Sequence, residues 1–444
     1  MKHLKQISWD ISKKSNPQNK CCYNGKKRTD KYSEPDNIDS ILEKIYKSGI
    51  EAVYFLGGNP LISKNMSYVL SEFKKQGIVT NLVTNGTKLT IDVFEKLKDS
   101  GLNELCVNFD GIEENSISIH RKDKYRLIIN NLKNIREKFG ERYFLNNAMD
   151  KPQISISHTI TNQNVDSFLH FARRLYQIGA RSINLGFIFN DGNKKKKNKS
   201  FNFCCRKKEN ILLSLEKAFE ILSAEYKDMI FNIELRPVYI KYLNMKYGDN
   251  FRYKTSYTKC MAHQDFLYLE ANGDIHPCNV YSMSGIINFD LDRYMNLELN
   301  IKDVNCLSEA LSHPRFELFH NMYEDAKHVD ATNQTFVPII ICNNCFVKED
   351  CEPCPFQFYA REHYLECEIA FEYYIDLYDK IRDKIIVIPE DSVYILDLQF
   401  SRIESKTVDE AVKKSGAIDL IGSVDWKTFQ RILSLQKKGL INLE

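Results

Sequence analysis

Long apolar runs are missing from this chain. No uninterrupted hydrophobic stretch approaches the roughly 20 residues that cross a bilayer, and the opening MKHLKQISWD lacks the apolar core of a secretory signal. A membrane span and an export route are therefore not expected, and the cytosol is the expected compartment. An excess of one charge is missing too. Against 62 Lys and Arg stand 59 Asp and Glu, a net charge of only +3, too even to call for a polyanion, so no nucleic-acid partner is expected. In a reducing cytosol the 13 cysteines are not expected to pair as disulfides, and clustered ones read better as metal ligands. What is present in quantity is core-forming material. With 444 residues, 43% of them hydrophobic, the chain can bury a large interior divided among two or three domains.

The first 190 residues repeat one pattern. Short apolar runs (QISWDIS, EAVYFLGG, IVTNLVT, NELCVNF, QISISHTI, SINLGFIF) alternate with amphipathic stretches such as NIDSILEKIYKSG, TIDVFEKLKDSG and VDSFLHFARRLYQIG, several closed by Gly. Six strands alternating with helices predict an α/β fold, a partial (β/α)6 TIM-like barrel of parallel strands over residues 1–190. In such folds chemistry gathers in the loops after the strands' carboxyl ends. Residues 191–259 read as a linker, opened by the solvated run DGNKKKKNKS, and a helical bridge. Residues 260–384 lose periodicity while gaining cysteines, as expected of a small metal-organised domain. Residues 385–444 read as a small α+β module of paired strands followed by two helices.

Eight cysteines lie from Cys260 to Cys367, and seven of them set the spacing: Cys260, Cys278, Cys342, Cys345, Cys351, Cys354 and Cys367. Four thiolates suit zinc or an iron-sulfur cluster. Zinc ribbons separate their two cysteine pairs by roughly 15 to 20 residues, whereas here only five residues lie between Cys345 and Cys351. Buried structural thiols are the plainer alternative.

The pattern resembles the SPASM domain of radical S-adenosylmethionine enzymes. CMAHQDFLYLEANGDIHPC is similar to its first part, with Gly273 and Cys278 in the Gly-x4-Cys frame, and CNNCFVKEDCEPC to its second, one residue short before Cys354. The resemblance implies one auxiliary 4Fe-4S cluster on Cys342, Cys345, Cys351 and Cys367. It implies a second on Cys260, Cys278 and Cys354, for which no fourth cysteine is evident.

The N-terminal half resembles the same superfamily, but with its chemistry altered. SNPQNKCCY aligns with the family's Cys-x3-Cys-x2-Cys loop, and Ser15 and Asn19 stand where the first two thiolates belong. Cys22 keeps the third position and Tyr23 the aromatic one. GGNPL (Gly57, Gly58, Asn59, Pro60) is similar to the family's Gly-Gly-Glu-Pro, whose carboxylate holds the ammonium of S-adenosylmethionine; Asn59 replaces it. VTNGT and FDG, with Thr84, Asn85, Gly86, Asp110 and Gly111, look like further landmarks. A hydroxyl and an amide are poor iron-sulfur ligands beside a thiolate. Cys21 is a poor substitute, because neighbouring side chains in an extended loop point apart, and a neutral amide forfeits the charge-assisted bond to an ammonium.

The terminal module is similar in pattern to small domains that bind leader peptides by strand addition, the plainer reading being a helical cap. Three functions follow. The first is a radical S-adenosylmethionine and SPASM-like iron-sulfur protein of peptide or protein maturation that lacks the primary cluster and serves as a binding partner or scaffold. The second is an active peptide maturase with an unconventional primary cluster, oxidising its substrate through a 5'-deoxyadenosyl radical. The third is a zinc-stabilised binding scaffold. The expected partner is a peptide substrate or a modification enzyme.

Overall fold

The computed structural model describes residues 4–12, 35, 37–109, 122–145, 150–161, 164–187, 208–253, 262, 265–279, 296–328, 351, 367, 369–370 and 373. Every one of the six apolar runs forms a strand: β1 (Gln6–Trp9), β2 (Ala52–Phe55), β3 (Val79–Thr84), β4 (Glu104–Asn108), β5 (Gln153–Ile160) and β6 (Ser182–Phe187). Between them lie α1 (Ile38–Lys47), α2 (Met66–Lys75), α3 (Ile91–Asp99), α4 (Lys122–Phe139) and α5 (Phe168–Gln177). Local chemistry explains the boundaries. Asn37 caps α1 by accepting from the Ser40 N–H, Thr90 caps α3 through Val93 N–H, and lysines occupy the last turns of α1, α2 and α3.

The parallel sheet does not stop at residue 190. Residues 191–259, read above as linker and bridge, contribute α6 (Lys208–Glu225), β7 (Ile230–Ile233), α7 (Pro237–Tyr247) and β8 (Phe251–Tyr253). β7 pairs with β6 and β8 with β7, both in parallel. At four and three residues these strands are too short for a period-two signal to stand out in sequence.

The cysteine-rich segment also enters the sheet. β9 (Phe266–Leu269) lies parallel to β1 on its free side, and β10 (Ile275–His276) turns back antiparallel to it. The order is β10-β9-β1-β2-β3-β4-β5-β6-β7-β8, a partial TIM-like barrel. A further helix, α8 (Pro314–His328), follows. Among the described residues no helix is long and apolar enough to cross a membrane.

Strand alternation sorts the two faces of the sheet. β5 buries Ile154, Ile156, His158 and Ile160 against the helices, while Ser155, Ser157 and Thr159 take the opposite face. The helix-facing side is aromatic. Trp9 packs on Phe55 and Phe73 with centroids 5.8 and 6.4 Å away, and Phe219, Phe231 and Phe251 cluster where α6 covers the later strands. The terminal module, residues 385–444, lies outside the described residues.

Candidate functional site

At the carboxyl ends of β1, β2 and β3 one hydrogen-bonded unit forms. The turn after β2 is tied to the chain leaving β1: Leu56 N–H donates to Trp9 C=O at 3.1 Å and Gly58 N–H to Ser12 C=O at 3.0 Å. Gly57 sits at φ +84°, and a Cβ there would lie 2.5 Å from Cγ of Asp10. Only glycine satisfies both the conformation and the contact.

Asn59 follows, 1% exposed, as the cap of a single 3-10 turn, Pro60–Ile62. The proline at the first position needs no hydrogen-bond partner for its nitrogen, and the asparagine oxygen takes the next one. That oxygen accepts from Leu61 N–H at 3.3 Å and from the Thr84 hydroxyl at 2.9 Å. Its amide nitrogen donates to Oδ1 of Asn85 at 3.3 Å. Thr84 in turn accepts from Gly86 N–H at 3.2 Å, and Asn85 Oδ1 accepts from the Thr87 N–H and hydroxyl at 3.1 and 2.8 Å. Asn131 of α4 closes the arrangement by donating to Gly86 C=O at 3.2 Å. Gly57, Gly58, Asn59, Pro60, Thr84, Asn85 and Gly86, two separate landmarks in sequence, are thus one network.

The sheet face turned away from the helices carries a second polar array, which sequence reading missed. Asn184 on β6 donates to Ser155 Oγ at 3.1 Å and to the Cys106 sulfur at 3.5 Å. Asn232 on β7 donates to Asn184 Oδ1 at 2.9 Å and Ser182 Oγ at 3.1 Å. Barrel interiors are usually filled by Val, Ile and Leu, and this amide and hydroxyl ladder across β4 to β7 departs from that apolar lining. The signal was available: Ser155, Ser157 and Thr159 alternate strictly with the buried isoleucines and His158 of β5. Asn81 Oδ1 and Asn108 Oδ1 are buried with no hydrogen-bond partner among the described residues.

On the helix side, buried His158 donates from Nδ1 to Phe109 C=O at 2.9 Å, a tautomer dictated by the carbonyl. Its ring lies 4.3 Å from that of Phe171 and 6.0 Å from that of Phe168. Burial pushes its pKa down to about 4, with the bond to Phe109 acting weakly the other way. The imidazole is therefore neutral at physiological pH and braces the chain just before Asp110.

Of the expected metal ligands, Cys278 and Cys351 are half-buried and Cys367 is buried against the main core. Cys22, Cys260, Cys342, Cys345 and Cys354 lie outside the described residues, as do Ser15, Asn19, Cys21, Tyr23, Asp110 and Gly111. Among the described residues no three His, Cys, Asp or Glu side chains gather to hold a metal.

Comparison with known proteins agrees with this architecture. Over 87 residues the chain is 38% identical to an S-adenosylmethionine-dependent nucleotide dehydratase of Lacinutrix mariniflava, covering 19% of this chain and 18% of that protein. Over 87 residues it is 30% identical to PqqA peptide cyclase of Bradyrhizobium diazoefficiens, covering 20% and 23%. The matched stretch is thus less than a quarter of either relative's length. The fold extends further. SuiB of Streptococcus suis bound to S-adenosylmethionine matches over 81% of this chain and 77% of its own, with a TM-score of 0.52 at 15% identity. Native anSMEcpe with bound AdoMet matches over 85% of this chain and 100% of its own, with a TM-score of 0.55 at 14% identity. Residues 20–154 match the model of the radical SAM superfamily, and with the parallel sheet and strand-end turns described above, the chain carries a radical S-adenosylmethionine domain.

Proposed function

We propose that this protein is a radical SAM and SPASM-like iron-sulfur protein of a cytosolic peptide- or protein-maturation pathway that does not cleave S-adenosylmethionine conventionally and acts by binding a peptide or a partner enzyme. The hydrogen bonding of Asn59 carries this reading. An ammonium ligand needs an acceptor, preferably charged. The two lone pairs of Asn59 Oδ1 are already committed to Leu61 N–H and Thr84 Oγ1, and its nitrogen is a donor. The turn therefore does not fit the amine of S-adenosylmethionine in the way a glutamate would.

The loss is specific rather than scattered. Ser15, Asn19 and Asn59 alter the primary cluster and its cofactor contact, while seven of the eight cysteines from Cys260 to Cys367 stay in SPASM-like order. Those seven, as one complete and one nearly complete thiolate set, are proposed to hold auxiliary 4Fe-4S clusters, which would order the segment and supply redox centres. A peptide as partner is supported by relatives: PqqA peptide cyclase in sequence, and in fold SuiB bound to its precursor peptide SuiA, with a TM-score of 0.53.

Anaerobically reconstituted protein tests the reading. About four to eight irons per chain are expected, with no 5'-deoxyadenosine formed from S-adenosylmethionine after dithionite. Appreciable 5'-deoxyadenosine that disappears in Cys22→Ala would instead establish an active enzyme with an unusual primary cluster. Stoichiometric zinc without iron would establish the zinc scaffold.

A further inference from the structure

Asp10 stands where three parts of the molecule meet. Its N–H donates to Leu269 C=O of β9 at 2.9 Å, and its Oδ2 accepts from the Tyr268 hydroxyl at 2.5 Å. The other side of the same carboxyl group rests on Gly57, so closely that a Cβ would sit 2.5 Å from Cγ and 2.7 Å from Oδ1. Asp10 and Tyr268 are 3% and 1% exposed, leaving little opening for water to replace the bond. On the far side of β9, Tyr268 is in register with His276 of β10, their rings 6.1 Å apart, and Cys278 follows two residues later.

We propose that Asp10 is a positioning residue through which the segment 265–279, the entry to the cysteine-rich region, sets the conformation of the Gly57–Asn59 turn. The turn has little independent support at that point. Gly57 contributes no side chain, and the Leu56 and Gly58 amides are held by carbonyls of Trp9 and Ser12, on either side of Asp10. Displacing β9 breaks the bonds from Asp10 to Leu269 C=O and from the Tyr268 hydroxyl, and the carboxyl group then shifts against Gly57. The effect passes along the turn to Asn59, whose cap on Leu61 and contact to Thr84 depend on its backbone position. A contiguous chain of buried, well-packed groups is what transmits a discrete shift rather than dissipating it. In this way the state of the cysteine-bearing segment is read at the barrel mouth more than a domain boundary away in sequence. The link from Tyr268 to the turn stands on geometry alone; that metal loading at Cys278 is what orders the segment rests on the function proposed above.

Hydrogen exchange on the full-length protein tests it, reading the amides of Leu56, Gly58, Leu61 and Ile62, each hydrogen-bonded in the turn. Tyr268→Phe keeps the ring and deletes the hydroxyl, and should speed exchange at these amides roughly tenfold to a hundredfold, the loss expected for a bond to a charged group. Amides of α6 and α7 should be unchanged. Asp10→Asn, which keeps the volume and an acceptor for Tyr268, should give a smaller rise at the same amides and serves if Tyr268→Phe does not fold. A cycle combining Tyr268→Phe with Gly57→Ala should be non-additive. Faster exchange confined to residues 266–276, with the turn at wild-type rates, overturns the proposal, as does an equal rise everywhere. Cys278→Ser separates the two layers: a rise at the turn supports metal-dependent ordering, while none, alongside a positive Tyr268→Phe result, keeps the coupling and removes Cys278 as its trigger.

Discussion

Acidification should unfold this protein through His158 in a way that one substitution removes. The folded imidazole titrates at about 4, against an ordinary value of 6.5. Above pH 6.5 neither state binds the proton and His158 contributes no slope. Between 6.5 and 4 the unfolded chain takes up a proton that the folded chain refuses, so stability falls as the pH falls, and below 4 the difference levels off. At pH 5 the unfolded state is ahead by about 1.5 pH units, worth about 2 kcal/mol at 1.36 kcal/mol per unit, and the full difference approaches about 3.4 kcal/mol. The assay is urea unfolding at pH 7.5 and pH 5, followed by fluorescence of Trp9, which is buried between Phe55 and Phe73, in a Trp426→Phe background. His158→Leu loses the bond to Phe109 at every pH, a constant offset, but carries no titrating group. The stability advantage of wild type over His158→Leu should therefore shrink by about 2 kcal/mol from pH 7.5 to pH 5. Parallel pH profiles for the two proteins would refute the reasoning, showing that the ring protonates in place or is not buried.

Asn59→Ala strips the acceptor from Leu61 N–H and the Thr84 hydroxyl and should cost about 1–3 kcal/mol in the same unfolding assay. The triple variant Ser15→Cys, Asn19→Cys, Asn59→Glu should bind roughly four more irons than wild type; an unchanged iron and sulfide content would show that the pocket has been rebuilt around Asn59. Cys342→Ala with Cys345→Ala should lower bound iron by about one cluster and destabilise the cysteine-rich segment, checked by iron analysis and limited proteolysis. Glu216, buried between α6 and α7, accepts from the hydroxyls of Tyr239, Tyr242 and Tyr247 and from Lys246 at 2.8, 2.5, 3.1 and 3.2 Å. Burial and the nearby carboxylate raise the Tyr242 and Tyr247 phenols, so both should resist ionisation above the usual tyrosine range in a spectrophotometric titration, and less so in Glu216→Gln.

The early strands and helices were legible because their signals are local. An apolar run of four to eight residues, or a stripe at i, i+3 and i+4, is written in consecutive residues, and capping by Asn37 or Thr90 acts over three residues. The glycine-asparagine turn after β2 was legible for the same reason, since GGNPL is written in consecutive residues. β7 and β8 were not, because strands of four and three residues are defined by the neighbour they pair with rather than by their own pattern. The same holds for β9, whose sequence FLYL carries no sign that it lies beside β1 across more than 250 residues of chain. What Asn59 does with its amide belongs to that second class. Sequence determined that residue 59 carries an amide and no charge; only the fold, by bringing Thr84 and Asn85 of one strand end onto the turn of another, decided that the hydrogen-bonding capacity of that amide is spent inside the protein. Covalent neighbours fix which groups exist, but a hydrogen bond is directional and short, so its partner is chosen by tertiary distance.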